Sequence, residues 1–274
     1  MADPFRIRDH VADFDDIVRD IVERSARTRE TAAMLADIPY APGPSETLDL
    51  FFPAECKPGM PVHMFIHGGY WRMFSKRDYS CLADTITAAG AIAVIVDYAL
   101  MPSVRMATVV DQVRRARDWV VHHIAEYGGD PGRLTVSGHS AGAHLASFLF
   151  TRDQAPVHIR AALLLGGLYE LEPLRSSFLQ AEIGLTDAEV QAFTPMTHDH
   201  VPATRVALMV GAEETEPFHD QAGAFARHLQ SRGVNVSRST LSARNHMNSV
   251  RDLAIVDTEA GQQLLRLIRG TCEK

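Results

Sequence analysis

Gly138-His139-Ser140-Ala141-Gly142 places one serine between two glycines at the spacing G-x-S-x-G. A short apolar strand is expected over 134–136, just before it, and an apolar helix over 141–150, just after it. A serine hydroxyl becomes a useful nucleophile when a strained strand-to-helix turn presents it beside a base. The flanking glycines let the backbone make that turn without a side-chain clash. The helix that follows aims its first N–H groups and positive dipole end at developing negative charge. A second motif, His67-Gly68-Gly69-Tyr70-Trp71, ends an earlier apolar run. Attack on a carbonyl needs backbone N–H donors near its oxygen, and Gly68 and Gly69 let such a loop approach closely. Together the two motifs point to acyl transfer.

The elements that must position these residues follow from the hydrophobic period. Val11, Phe14, Val18, Ile21, Val22 and Ser25 recur at helical spacing, so the N-terminal 1–40 holds an amphipathic helix, followed by a Pro-rich turn over 39–44. The period then changes. Strands are expected at 47–53, 62–66, 91–96, 134–136, 161–165 and 206–210, and 234–241 alternates. Helices are expected at 106–127, 141–150, 217–231 and, as a closing helix, 250–268. Strands apolar on both faces that alternate with helices imply a mostly parallel sheet covered on both sides. The expectation is one α/β domain over 1–274. Residues 170–202, with Pro173, Pro195 and Pro202, break the rhythm. They read as an excursion over the carboxyl edge of the sheet, which with 1–40 would form a small cap over a ligand site.

On such a sheet a catalytic serine is followed in chain order by an acid and then a histidine. The strand at 206–210 should present the acid, and Glu213, Glu214 and Glu216 compete for that role. The base should lie past the next strand, where His246 is the one histidine. His219 and His228 fall on the intervening helix and His122 and His123 on another, as solvent-facing residues. His139 and His144 flank the nucleophile and suit packing or support. His198-Asp199-His200 has the look of a metal pair but no third ligand, so no metal is expected.

The net charge of −7 and the absence of a basic stripe speak against nucleic acid or an anionic membrane surface as partner. Apolar residues make up 46%, enough to exclude disorder, yet no apolar run approaches the roughly 20 residues of a membrane span. The N-terminus shows no apolar leader. Cys56, Cys81 and Cys272 form no metal or disulfide pattern, so a reducing, cytoplasmic setting is expected. The serine, base and oxyanion donors suffice without any cofactor.

Read in order, HGGYW, DYALMP, GGDPGRLTVSGHSAGAHLA, FTPM and GAEETEPFHDQ resemble the α/β-hydrolase superfamily. Within it the chain is most similar to the kynurenine formamidase (arylformamidase) group and to hormone-sensitive-lipase-like esterases. The resemblance runs from about residue 45 to the C-terminus, and H-G-G-x-W is its arylformamidase-like feature. It implies Ser140 as nucleophile, His246 as base, and Gly69, Tyr70 and Ala141 as oxyanion N–H donors beside Gly68. Matching Phe218 and Gln221 to the family's segment after the acid implies Glu214, with Glu213 and Glu216 as alternatives. The implied reaction is cleavage of an aryl amide, N-formylkynurenine-like or N-acylanthranilate-like, through an acyl-enzyme. Trp71, Tyr70, Phe74 and His139 would shape an aromatic pocket, and Arg72 or Arg244 would meet a substrate carboxylate. The alternatives are a general short-chain carboxylesterase and, in another class, a silent small-molecule-binding protein. A homodimer is the expected assembly.

Overall fold

The computed structural model describes residues 2–153 and 159–270. Cys272 lies outside them; Cys56 is exposed and Cys81 buried, both as free thiols. Eight strands form one sheet in the order β1-β2-β4-β3-β5-β6-β7-β8. They are β1 (Met34–Pro39), β2 (Thr47–Phe51), β3 (Met60–Ile66), β4 (Ile92–Val96), β5 (Gly129–His139), β6 (Ala161–Leu165), β7 (Arg205–Gly211) and β8 (Val236–Leu241). The β1–β2 and β2–β4 pairs are antiparallel, and every pair from β4 onward is parallel.

The parallel part is built from runs buried on both faces. All five residues of β4 and all five of β6 are buried. Such strands need helices on each side. α3 (Met106–His123) supplies one, burying Val109, Val110, Val113, Ala116 and Val120 along a single stripe. Gly128, at φ +84°, ends the turn that follows it, a left-handed position that glycine takes without cost. The remaining helices are α1 (Phe14–Thr31), α2 (Leu82–Ala88), α4 (Ala141–Ser147), α5 (Leu179–Ile183), α6 (Asp187–Phe193), α7 (Glu216–Ser231), α8 (His246–Leu253) and α9 (Glu259–Arg269).

Several elements depart from the sequence expectation. β1 is an edge strand with mostly exposed residues, so it shows no apolar pattern to read. α2 is too short for one. β5 begins at Gly129 rather than 134, because Gly-Asp-Pro-Gly pairs with the start of β3 although its composition signals a turn. The closing helix is two helices. Thr258 caps α9 by accepting from the Gly261 N–H at 3.0 Å, which breaks the run. The 170–202 excursion carries α5 and α6, and Thr186 and Glu189 close a capping box at the start of α6.

A buried charge cluster ties the N-terminal elements to the sheet. Lys76 Nζ donates to Asp49 at 2.7 Å and also to Asp37, while Arg29 of α1 donates to Asp49. The Lys76 ammonium holds the Asp37 carboxyl below its ordinary range. Lys76 and Asp49 are both shut away from water, so neither is tolerable without the other.

Candidate active site

The carboxyl ends of β3, β5, β6, β7 and β8 converge, and each contributes one part. Register places Ile66 beside Gly138, which brings the loop after β3 next to the turn after β5. Ser140 sits on that turn at φ +55°, ψ −121°, a conformation that costs a non-glycine residue on the order of 1–3 kcal/mol. Surrounding contacts force it. A Cβ on Gly138 would collide with the Gly142 backbone, and one on Gly142 with the carbonyls of Ile66 and His67. The two glycines are therefore required by close packing of the elbow against its own helix and against β3.

The loop after β3 is a left-handed turn. Gly69, Tyr70 and Trp71 have φ of +101°, +51° and +58°. The Gly69 carbonyl accepts from the N–H groups of Arg72 and Met73 at 3.0 and 3.1 Å. Among the described residues, no acceptor takes the N–H groups of Gly69, Tyr70 or Ala141. A Cβ on Gly68 would stand 3.2 Å from the Ser140 Cβ, so this loop lies directly against that serine. Tyr98 of the DYALMP segment steadies it, with its hydroxyl 2.9 Å from the His67 carbonyl and its ring stacked on His67 at 4.2 Å.

Trp71 does not wall the pocket. It is fully buried, and its indole N–H donates to His144 Nδ1 at 3.2 Å. His144 passes its Nε2–H to the Phe193 carbonyl at 2.8 Å. Burial pushes the His144 imidazole down to about 4, which keeps it neutral and able to accept from Trp71. Trp71 thus anchors the loop to α4, and its backbone carbonyl accepts from the Met101 N–H at 2.8 Å.

His246 is the first residue of α8. Asn245 caps that helix, accepting from the N–H groups of Met247 and Asn248 at 2.9 Å each, while Asn248 returns a bond to the Asn245 N–H. The cap fixes where the imidazole emerges. Of the three candidate acids, the structure brings Glu214 to the histidine. His246 Nδ1 lies 2.6 Å from Glu214 Oε2, and both side chains are buried. Glu214 Oε1 accepts from the Gly211 N–H at 2.8 Å. Glu213 is exposed, and Glu216 opens α7 on its exposed face.

Four further residues support this arrangement; the sequence marks His139 for packing or support and Phe218 and Gln221 only as a match to the family segment, and Gly166 not at all. Gly166 ends β6 at φ +53°, and a Cβ there would press to 3.1 Å on Glu214 and on His246. Its signal was a glycine closing an apolar strand run. His139 Nε2 lies 2.9 Å from the His246 carbonyl, which assigns it as the donor. Burial, with His246 beside it, holds the His139 imidazole well below its ordinary range and so neutral. Phe218 packs its ring 4.6 Å from that of His246, and Gln221 Oε1 accepts from the N–H groups of Tyr169 and Glu170 at the root of the excursion.

Ser140 and His246 open into a cavity of about 230 Å³. Its walls are aromatic, with Tyr70, Phe74 and Tyr79 from the β3 side and Phe14 and Phe178 from above. His139 lines its floor. Arg72 reaches it but is paired with Glu182 at 2.8 Å. Arg244 points elsewhere and pairs with Asp252. The roof is a strap over residues 3–9. Asp3 accepts from the Phe178 N–H at 2.6 Å, the Pro4 carbonyl from the Thr215 hydroxyl at 2.8 Å, and the Phe5 carbonyl from the Tyr70 hydroxyl.

The paired histidines at 198 and 200 do not converge on one point. His198 bonds the Ala192 carbonyl, and His200 is buried against the rings of Phe150 and Phe225. Among the described residues, no group of three or more His, Cys, Asp or Glu side chains is placed to hold a metal ion. Nor is any helix among them long and apolar enough to cross a membrane.

A mostly parallel eight-stranded sheet with a strained serine at a strand–helix elbow defines a class, the serine hydrolases. Residues 63–248 match the family model described as alpha/beta hydrolase fold, and the chain belongs to that family. It is 29% identical to the kynurenine formamidase of Danio rerio over 93% of this chain and 90% of that one. It is 30% identical to the esterase LipQ of Mycobacterium tuberculosis, covering 80% of this chain and 58% of that one. A hyperthermophilic esterase from Pyrobaculum calidifontis shares the fold, with a TM-score of 0.75 at 19% identity, covering 94% and 92% of the two chains. The chain is a hydrolase of the serine type.

Proposed function

We propose that this chain cleaves an aryl amide, N-formylkynurenine-like or N-acylanthranilate-like, by a Ser140–His246–Glu214 triad through an acyl-enzyme. The observation that carries the reading is the buried His246–Glu214 bond of 2.6 Å beside a strained serine in an aromatic-walled cavity. The kynurenine formamidase relatives support the amide over other acyl compounds.

In this reading Ser140 Oγ attacks the carbonyl while His246 Nε2 takes its proton. Glu214 holds the Nδ1–H tautomer and offsets the imidazolium charge. The N–H groups of Gly69, Tyr70 and Ala141 receive the oxyanion, with Gly68 allowing the close approach. His246 returns the proton to the aniline nitrogen, which leaves, and then activates water to release the acid. An aniline leaves more readily than an alkyl amine, so an esterase-like site suffices. The small cavity suits a short acyl group and one aromatic ring. A general short-chain carboxylesterase is the second reading, favoured by the similarity to esterase LipQ.

The test compares N-formylkynurenine, N-acetylanthranilate and p-nitrophenyl acetate, with wild type and Ser140→Ala. The expected result is a higher kcat/KM on an aryl amide than on the ester, and loss of about 10⁴-fold or more in the variant. Turnover of the ester alone would overturn the amide reading and leave the esterase.

A further inference from the structure

We infer that Arg6, carried on the strap, holds a carboxylate of the substrate, so that the enzyme selects anionic aromatic acyl compounds over neutral ones; this rests on the reading of the cavity as a serine-hydrolase site. Three arginines line the cavity, Arg6, Arg8 and Arg72. Two are already engaged. Arg8 donates to both oxygens of Asp15 at 2.6 Å each. Arg72 Nε stands 2.8 Å from Glu182. Arg6 meets Asp9 at 3.9 Å, between side chains about half exposed, a pairing that contributes little.

The Arg6 guanidinium instead lies over the Phe178 ring, 4.6 Å from its centre. Phe178 in turn meets Tyr70 edge to face at 5.7 Å. The contact holds the guanidinium against the ring face, and its one recorded carboxylate neighbour, Asp9, stands 3.9 Å away, beyond a hydrogen bond. A carboxylate accepts two parallel bonds from such a fork. The same aromatic pair offers a surface for the ring that bears the carboxylate. The strap's own hydrogen bonds use Asp3 and the carbonyls of Pro4 and Phe5, so the Arg6 side chain is not needed to hold it. The chemical class is therefore an aryl amide or ester with a carboxylate on the leaving group.

Two esters isolate this charge. 2-Acetoxybenzoate and phenyl acetate share the acetyl group and differ by one carboxylate on the leaving phenol. The readout is the ratio of their kcat/KM values in wild type, Arg6→Gln and Arg6→Lys. The ratio is expected to fall about tenfold in Arg6→Gln, through KM rather than kcat, the scale of one charge-assisted bond at a partly exposed site. Arg6→Lys should recover part of it, since a point charge remains without the fork. The wild-type ratio should also fall with added salt. An unchanged ratio in Arg6→Gln overturns the inference. So does an equal loss on both esters, which would assign Arg6 to holding the roof. Since both probes are esters, a wild-type enzyme inert toward aryl amides overturns the amide reading and leaves Arg6 tested.

Discussion

The floor and the roof of the cavity are made in different ways. The floor is a set of turns at the ends of β3, β5, β6 and β7, where glycines 138, 142 and 211 let backbones touch, Gly166 leaves room for the Glu214 and His246 side chains, and left-handed residues are held in place by burial. The roof is a strap of seven residues and an excursion of short helices; the strap bonds Phe178 of the excursion and Thr215 and Tyr70 below it, Phe5 meets Phe218 edge to face, and the excursion is tied down by the His144–Phe193 bond and the Arg72–Glu182 pair. Strain is kept where the packing is dense enough to hold it. In the proposed reading, the groups that choose a substrate stand on the roof, where change leaves the floor undisturbed.

The largest test of that division is Glu214→Gln, which keeps the shape of the floor and removes its charge. Turnover should drop by about 10³–10⁴-fold with KM little changed, while Glu213→Gln and Glu216→Gln stay within about twofold of wild type. A comparable loss in Glu213→Gln would move the acid and break the floor as drawn.

Acid should act through the histidines buried in β3 and α4 rather than through the strap. Burial pushes His63 down to about 3 and His144 down to about 4, whereas the strap's His10 is exposed. A histidine lowered in the folded state binds its proton more readily when unfolded. Its contribution is complete above about pH 6.5 and is lost as pH falls toward the folded value. By pH 5 each of these two should cost about 2 kcal/mol of stability. Urea unfolding at pH 7 and pH 5 measures this, and a flat profile would contradict neutral burial.

The smallest effect is expected at the join. Tyr70→Phe removes the hydroxyl bond to the Phe5 carbonyl and leaves the Tyr70 backbone N–H in place. It should weaken the roof by about 1 kcal/mol, read as a several-fold rise in KM on an aryl substrate with kcat held. A fall in kcat alone would show that the bond serves the floor.

Much of this floor was legible before any coordinates. G-x-S-x-G and the H-G-G loop mark Ser140, Gly68 and Gly69 for the proposed site because tight turns need glycines at fixed spacing, and the strand order marks His246. Apolar runs and helical stripes likewise give the alternating sheet and helices. The edge strand β1 and the helix α2 escaped because one is exposed and the other is a turn or two long. The role of Trp71 was out of reach, since an aromatic after a glycine loop suits a pocket wall as well as an anchor to His144.

The sequence by itself determined the α/β class, singled out Ser140 and His246 for the proposed roles of nucleophile and base, and left the acid among three glutamates, with the resemblance pointing to Glu214. The tertiary structure brings Glu214, of the three, to His246, because reach to a histidine 32 positions away depends on how β7 and α8 end. It also decided that residues 3–9 close the cavity and that Arg6, not Arg244, faces it. Such pairings join segments far apart in the chain, where no local period or spacing records the distance.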